Sequence, residues 1–187
     1  EFRRVLFRSV KKDLESVMFD EKTIAKRLEA LGQEITRDYE GKDVLVVSIL
    51  KGSVVFFSDL IRQIKLPINI DFIVASSYGD NAETSGRVDI KKDLEKDIAG
   101  RHVLLVEDII DSGVTMNCLM DILWQRKPTS VKLCALLTKE PRRQVPVKID
   151  YCGFDVPDEF LVGYGLDYAE KYRNLPVIGV LKREIYS

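Results

Sequence analysis

Apolar residues fall along this chain in two kinds of run. Residues 44–50, 103–106 and 131–137 are short and almost unbroken, the pattern of strands buried on both faces of a parallel sheet. Longer stretches between them repeat at helical spacing. Asp20 followed by Ile24, Leu28, Leu31 and Ile35 predicts a helix capped by Asp20 and ending before Gly41. Phe56, Phe57, Leu60, Ile61 and Ile64 predict a helix over 54–64, and Met116, Leu119, Ile122 and Leu123 form the inner face of one over 114–125. Ile68, Ile70, Phe72 and Val74 alternate, predicting a strand with one face wetter than the other. Polar residues 79–86 interrupt it, and Val88 and Ile90 resume it, so this part reads as a long hairpin. Residues 91–97 read as a solvated turn and 177–181 as a last strand, while no element is assigned ahead of Asp20. Strands alternating with helices predict an α/β fold, a mostly parallel twisted sheet flanked by helices.

Two of the strand-to-helix turns carry chemistry. The central strand ends in Glu107 and Asp108, then Ile109 and Ile110, then Asp111-Ser112-Gly113-Val114-Thr115. Ligands of open α/β sheets sit at the carboxyl ends of the strands. Backbone N–H groups at a helix start favour an anion, typically a phosphate. Gly113 allows close approach, and Ser112 and Thr115 add hydroxyls. The lysine of the triphosphate loop G-x-x-x-x-G-K-[ST] is missing. Carboxylates repel phosphate, so Glu107, Asp108 and Asp111 suit an attached sugar or a Mg²⁺ ion. For both Glu107 and Asp108 to reach that sugar the strand must end or twist at Glu107, because neighbours on a strand point to opposite faces. The second turn, Leu50-Lys51-Gly52-Ser53, repeats the arrangement with a lysine, and two such turns suit a ligand with phosphates at both ends.

Residues 106–115, Val-Glu-Asp-Ile-Ile-Asp-Ser-Gly-Val-Thr, resemble the phosphoribosyl-diphosphate-binding motif of the type I phosphoribosyltransferases. Leu50-Lys51-Gly52-Ser53 is similar to the diphosphate loop of their purine branch. Ser77-Tyr78 matches the dipeptide at the root of that branch's mobile lid, and 154–168 resembles its base-binding segment. The likeness covers the chain from about Phe19 onward and narrows to the hypoxanthine/guanine salvage enzymes of bacterial type. It implies the type I phosphoribosyltransferase fold, with a small hood built from the terminal segments. Residues 10–187 would be one domain, with a core at about 40–140 and the hood and base-binding segment at about 150–187. It also implies a cis peptide between Leu50 and Lys51.

The resemblance implies the following roles. Glu107, Asp108, Ile109, Asp111, Ser112, Gly113, Val114 and Thr115 would hold the 5-phosphoribosyl group. Lys51, Gly52 and Arg173 would hold the diphosphate, and Ser77 and Tyr78 the lid. Ile109, Lys139, Phe160 and Leu161 would bind a 6-oxopurine, with Lys139 on the C6 oxygen and Phe160 stacked on the rings. Glu107 and Asp108 would take the ribose hydroxyls directly or through Mg²⁺, Asp167 would hold a second Mg²⁺ near the diphosphate, and Asp111 would act as general base on the purine N7 proton while N9 forms the new bond. A cytoplasmic homo-oligomer, a dimer or tetramer, is the implied setting.

Composition removes other classes. The 187 residues carry a formal net charge of −1 with both signs interspersed, which provides no electrostatic footprint for nucleic acid or membrane. No apolar run is long enough to span a bilayer. Cys118, Cys134 and Cys152 are few, odd in number and in apolar surroundings, which fits free thiols in a reducing compartment. His102, the single histidine, reads as a surface turn residue, which removes Ser-His-Asp hydrolysis and histidine metal sites. Residues 1–9 begin with the Glu-Phe that a common cloning site encodes and are read as a non-native or disordered segment. The rival readings are a phosphoribosyl-diphosphate sensor that regulates transcription, a xanthine-preferring transferase, and a branch for adenine or pyrimidines. The sensor would need a DNA- or RNA-binding face. Adenine would set an amine against Lys139.

Overall fold

A computed structural model of the chain describes residues 11–77 and 88–187. Its main sheet has six strands: β2 (Val44–Leu50), β3 (Asn69–Ser77), β4 (Val88–Lys92), β5 (His102–Ile110), β6 (Ser130–Thr138) and β7 (Tyr151–Asp155). Their spatial order is β4-β3-β2-β5-β6-β7. All neighbours are parallel except β3 and β4, which form the expected hairpin. Helix α1 (Glu21–Asp38) starts at Asp20, whose Oδ1 accepts the Thr23 N–H at 2.8 Å. Helices α2 (Val54–Gln63) and α3 (Val114–Gln125) follow β2 and β5. Parallel strands need such crossovers, and the crossovers cover the sheet on both faces.

The unbroken apolar strands are explained by two cores. Val44, Val46, Leu104, Val106 and Leu136 pack toward α1 and α2. Their strand neighbours Leu45, Val47, Val103, Leu105 and Leu133 pack toward α3. The central position of β5 lets it pair with β2 on one side and β6 on the other. Its carboxyl end is therefore fixed by both neighbours.

A second sheet of three antiparallel strands forms the hood: β1 (Leu14–Phe19), β9 (Ile178–Leu181) and β8 (Leu161–Val162), in that order. A short helix, α4 (Arg183–Tyr186), follows β9. The expectation had no element before Asp20, and β1 corrects it. Its Leu-Glu-Ser-Val-Met-Phe sequence buries only Leu14 fully, so no strong period announces it, and its partner lies at the other end of the chain. Residues 151–155 pair with β6 in the main sheet, and the hood strand β8 follows them at Leu161–Val162.

Three local expectations change. His102 is the first residue of β5, and its Nδ1 lies 2.7 Å from Ser130 Oγ on β6, so it is no loose turn residue. In β3 one face is wetter, as expected, but it is the face of the alternating Ile70, Phe72 and Val74, while Asp71 and Ile73 on the other face are buried. Lys91 and Lys92 belong to β4 and are not part of a solvated turn. Residues 1–9, Tyr78 and the 79–86 stretch lie outside the described residues.

Lys92 has a specific role. Its Nζ lies 3.3 Å from Oδ1 of Asp71, a carboxylate 6% exposed on β3. Asp71 also accepts the Phe72 N–H at 2.7 Å and the Glu95 N–H at 2.8 Å. Burial pushes its pKa up, but those two N–H groups and Lys92 outweigh burial and hold it below the ordinary value. Its contribution to stability is thus present at neutral pH and lost as pH falls through that lowered pKa. Asp71→Ala should cost about 1–3 kcal/mol near neutral pH, because it takes the acceptor away from three part-buried donors. Urea titrations at falling pH should show the gap to the parent protein closing below about pH 4.

Candidate active site

Strand β5 does not stop at Glu107. It keeps pairing with β6 through Ile110, opposite Thr138. Glu107 and Asp108 therefore go to opposite sides, as strand geometry dictates. The expectation that both reach one sugar is not what the backbone provides. Glu107 lines a cavity of about 360 Å³ together with Asp111, Ser112, Gly113 and Thr115, closed by Ile49 and Ala75 from the neighbouring strands. Asp108 lies instead against Gly52 in the other turn.

The cavity's chemistry centres on Glu107. Its Oε2 is buried and has no hydrogen-bond partner. Burial, with Asp108 adding to it, pushes its carboxyl well above the ordinary range. A buried acceptor without a donor is costly, and native structures keep few of them. An incoming hydroxyl would satisfy it. The floor of the cavity is the 111–115 turn. Gly113 there has φ +84°, a left-handed conformation that a side chain strains, and a Cβ would sit 2.8 Å from Val147 Cγ2 and 2.9 Å from the Val145 carbonyl. The Ser112 carbonyl accepts the N–H groups of Gln144 and Val145 at 2.9 and 3.2 Å, pinning the turn from outside. Ser112 Oγ accepts the Val114 N–H at 3.4 Å at the start of α3. Val114, the first residue of that helix, and Ile109 complete the stretch that sequence had singled out.

The second turn is built differently. The Leu50–Lys51 peptide is cis. Ser53 turns its hydroxyl inward, where it lies 2.7 Å from the hydroxyl of Ser48, so two fully buried polar groups satisfy each other. Gly52 is packed from two directions. A Cβ on it would lie 1.7 Å from Asp108 Oδ2, and one on Gly165 would lie 2.0 Å from the Gly52 carbonyl. Arg173 donates to the Gly165 carbonyl at 2.9 Å and pairs with Asp167 at 2.8 Å. Asp108 has its pKa raised to about 6, chiefly by burial and in part by Asp167, against the pull of neighbouring N–H groups and Arg173. Lys51 reaches Glu170 at 3.1 Å, an exposed pair that adds little stability. The structure thus brings Lys51, Gly52, Asp108, Asp167 and Arg173 to one place.

The proposed base-binding residues do not line the 360 Å³ cavity, apart from Ile109. Lys139 is buried at the end of β6, with its N–H donated to the Ile110 carbonyl at 2.9 Å. Its Nζ lies 3.8 Å from Asp158. Arg142 lies 3.7 Å from the same carboxylate and places its Nε 3.2 Å from Asp111 Oδ1. A chain of charges therefore joins Lys139 to Asp111. Phe160 and Leu161 belong to the hood, Leu161 in β8 and Phe160 just before it. Nothing is described for Tyr78. Ser77 ends β3, opposite Val88.

Sequence reasoning missed Arg142, Arg143, Asp158 and Glu170. Arg143 donates to Thr138 Oγ1 at 2.6 Å, yet its Nε and one terminal nitrogen are buried without partners. The only signal was two adjacent arginines after Lys139, and charged pairs in a polar stretch rarely mean more than a solvated face. No group of three or more His, Cys, Asp or Glu side chains converges as a metal cage among the described residues.

A family model described as phosphoribosyl transferase domain matches residues 18–169. A hypoxanthine-guanine phosphoribosyltransferase of Streptococcus thermophilus is 48% identical over 95% of this chain and 99% of that protein. The bifunctional protein TilS/HprT of Listeria innocua is 50% identical over 96% of this chain, which spans 28% of that protein's length. The crystal structure of a hypoxanthine phosphoribosyltransferase from Staphylococcus aureus superposes with a TM-score of 0.93 at 45% identity, covering 96% of this chain and 97% of that one.

The contact between the two turns can be measured in isolation. Gly52→Ala should cost about 1–3 kcal/mol in urea unfolding, the penalty of overpacking. In an Asp108→Ala background the obstacle is gone, and the same change should cost less than about 0.5 kcal/mol. Equal costs in both backgrounds would show that Asp108 is not what Gly52 makes room for.

Proposed function

The chain belongs to the phosphoribosyl transferase family, and from that premise we propose that it moves the 5-phosphoribosyl group of phosphoribosyl diphosphate to hypoxanthine or guanine, yielding the nucleotide and diphosphate. The observation that carries this reading is the unpartnered carboxylate oxygen of Glu107, buried in the same cavity as the Ser112–Gly113–Thr115 turn. An anion seated on that turn places its attached sugar against an acceptor that needs a donor.

In this reading the 111–115 turn takes the 5′-phosphate through N–H groups and the hydroxyls of Ser112 and Thr115. Glu107 accepts from a ribose hydroxyl. Lys51, Gly52 and Arg173 receive the diphosphate, Arg173 as a charge-assisted donor. As the bond from the anomeric carbon to the diphosphate loosens, positive charge grows on the ribose, and the carboxylates beside it stabilise that charge. Purine N9 forms the new bond while Asp111 accepts the N7 proton. Lys139 donates to the C6 oxygen, and Phe160 offers a flat surface to the rings. Leu161 reads the purine edge through its backbone, and Ser77 and Tyr78 root a lid that excludes water.

Asp108 and Asp167 fit a Mg²⁺ site shared with the substrate. Mg²⁺ binds through one or two carboxylates plus phosphate oxygens and needs no all-protein cage, and Arg173 ties Asp167 to the carbonyl of Gly165, which packs on Gly52, the residue Asp108 lies against. Glu107, on the far side of the strand, is assigned to the sugar. When bound, the ion neutralises charge on the diphosphate. We place the enzyme in the cytoplasm, a compartment that keeps thiols such as Cys134 and Cys152 reduced, and expect a homo-oligomer.

A radiolabelled-base assay with phosphoribosyl diphosphate and Mg²⁺ tests the reaction. Hypoxanthine and guanine should be converted, and adenine should fall behind in kcat/KM by about 10³-fold or more, because its amine meets the Lys139 donor. Conversion of adenine alone, or of no purine, would overturn the reading. Asp111→Asn should lower kcat about 10²- to 10⁴-fold while nucleotide binding, followed by calorimetry, changes less than about threefold. Unchanged turnover would remove Asp111 as the base.

A further inference from the structure

The hood holds an aromatic group that the reaction as described does not use. The ring of Tyr186, in α4, stacks on Phe160 with centroids 4.6 Å apart and planes 24° from parallel. Tyr168 meets Phe160 edge-on at 5.5 Å and 88°, and meets Tyr186 at 6.4 Å and 66°. All three rings lean on the hood core of Leu14, Val162, Leu175, Val177 and Leu181. The Leu181 N–H donates to the Phe160 carbonyl at 2.8 Å, so the backbone carrying the ring is tied to the strand that leads into α4.

We infer that Tyr186 is a positioning residue for the purine base, acting through Phe160. A phenyl ring turns about two side-chain bonds, and ordering it only when a base arrives would weaken binding. Tyr186 covers one face of Phe160 and is itself anchored in the hood core. Tyr168 blocks rotation from the edge. The remaining face of Phe160 is held ready, at a fixed tilt, before the base binds. The inference rests on the reading that Phe160 carries the base. It adds that the last turn of the chain sets affinity for the base, without touching the base or the phosphoribosyl diphosphate.

The test compares Tyr186→Leu, which keeps apolar bulk but removes the flat face, Tyr186→Phe, which keeps the face, and Phe160→Ala. Tyr186→Leu should raise KM for hypoxanthine about 3- to 10-fold, the range of one aromatic pair. KM for phosphoribosyl diphosphate and kcat should shift less than about twofold, and Tyr186→Phe should behave as the parent. A loss of hood packing alone would move both KM values and the melting temperature together, and that result overturns the inference. So does an unchanged or lowered KM for hypoxanthine in Tyr186→Leu when Phe160→Ala raises it strongly. If Phe160→Ala itself leaves that KM unchanged, the placement of the base on Phe160 fails, and the role of Tyr186 falls with it.

Discussion

Adjacent carboxylates at the end of a buried strand face two environments, because the pleat sends neighbours to opposite sides. In β5, held between β2 and β6, Glu107 enters the cavity floored by the 111–115 turn, and Asp108 crosses to the 50–53 turn. Desolvation raises the pKa of both carboxyls. Neither would persist for stability alone, since burial of an incompletely paired carboxylate opposes folding. The cost makes sense where a ligand supplies the missing partners. The rest of the site is arranged on either side of this divided pair.

The division also explains why the second turn is so tightly packed. Asp108 leaves no room for a side chain at position 52, and the Gly52 carbonyl leaves none at 165. Residue 165 in turn accepts from Arg173, which pairs with Asp167. One strand residue thus positions a loop from the first third of the chain and a segment from its last quarter. Such contacts stiffen a site by exclusion, because any shift of one partner collides with the next.

On the base side the links are charged and aromatic. Asp158 stands between Lys139 and Arg142, and Arg142 reaches Asp111. The proposed recognition residue and the proposed base therefore share one network, in which the loss of a member is felt by its neighbours. The hood answers with apolar contacts that hold the Phe160 ring from behind. The segment that carries the ring lies just before β8 and is tied to β9 through the Leu181 N–H.

What the sequence alone determined is local in origin. The runs at 44–50, 103–106 and 131–137 are apolar because both faces of a parallel sheet are covered. The Asp20 cap, the helix over 114–125 and the 111–115 turn follow from residue types within a few positions of one another. Only the tertiary structure decided the rest. It paired Leu14–Phe19 with a strand at the far end of the chain, placed His102 against Ser130 and Lys92 against Asp71, and turned the Ser53 hydroxyl into the core. It also separated Glu107 from Asp108 and brought Arg142 to Asp111. Each of these depends on a partner distant in sequence or on the direction of a strand, and neither leaves a periodic trace in the residues themselves.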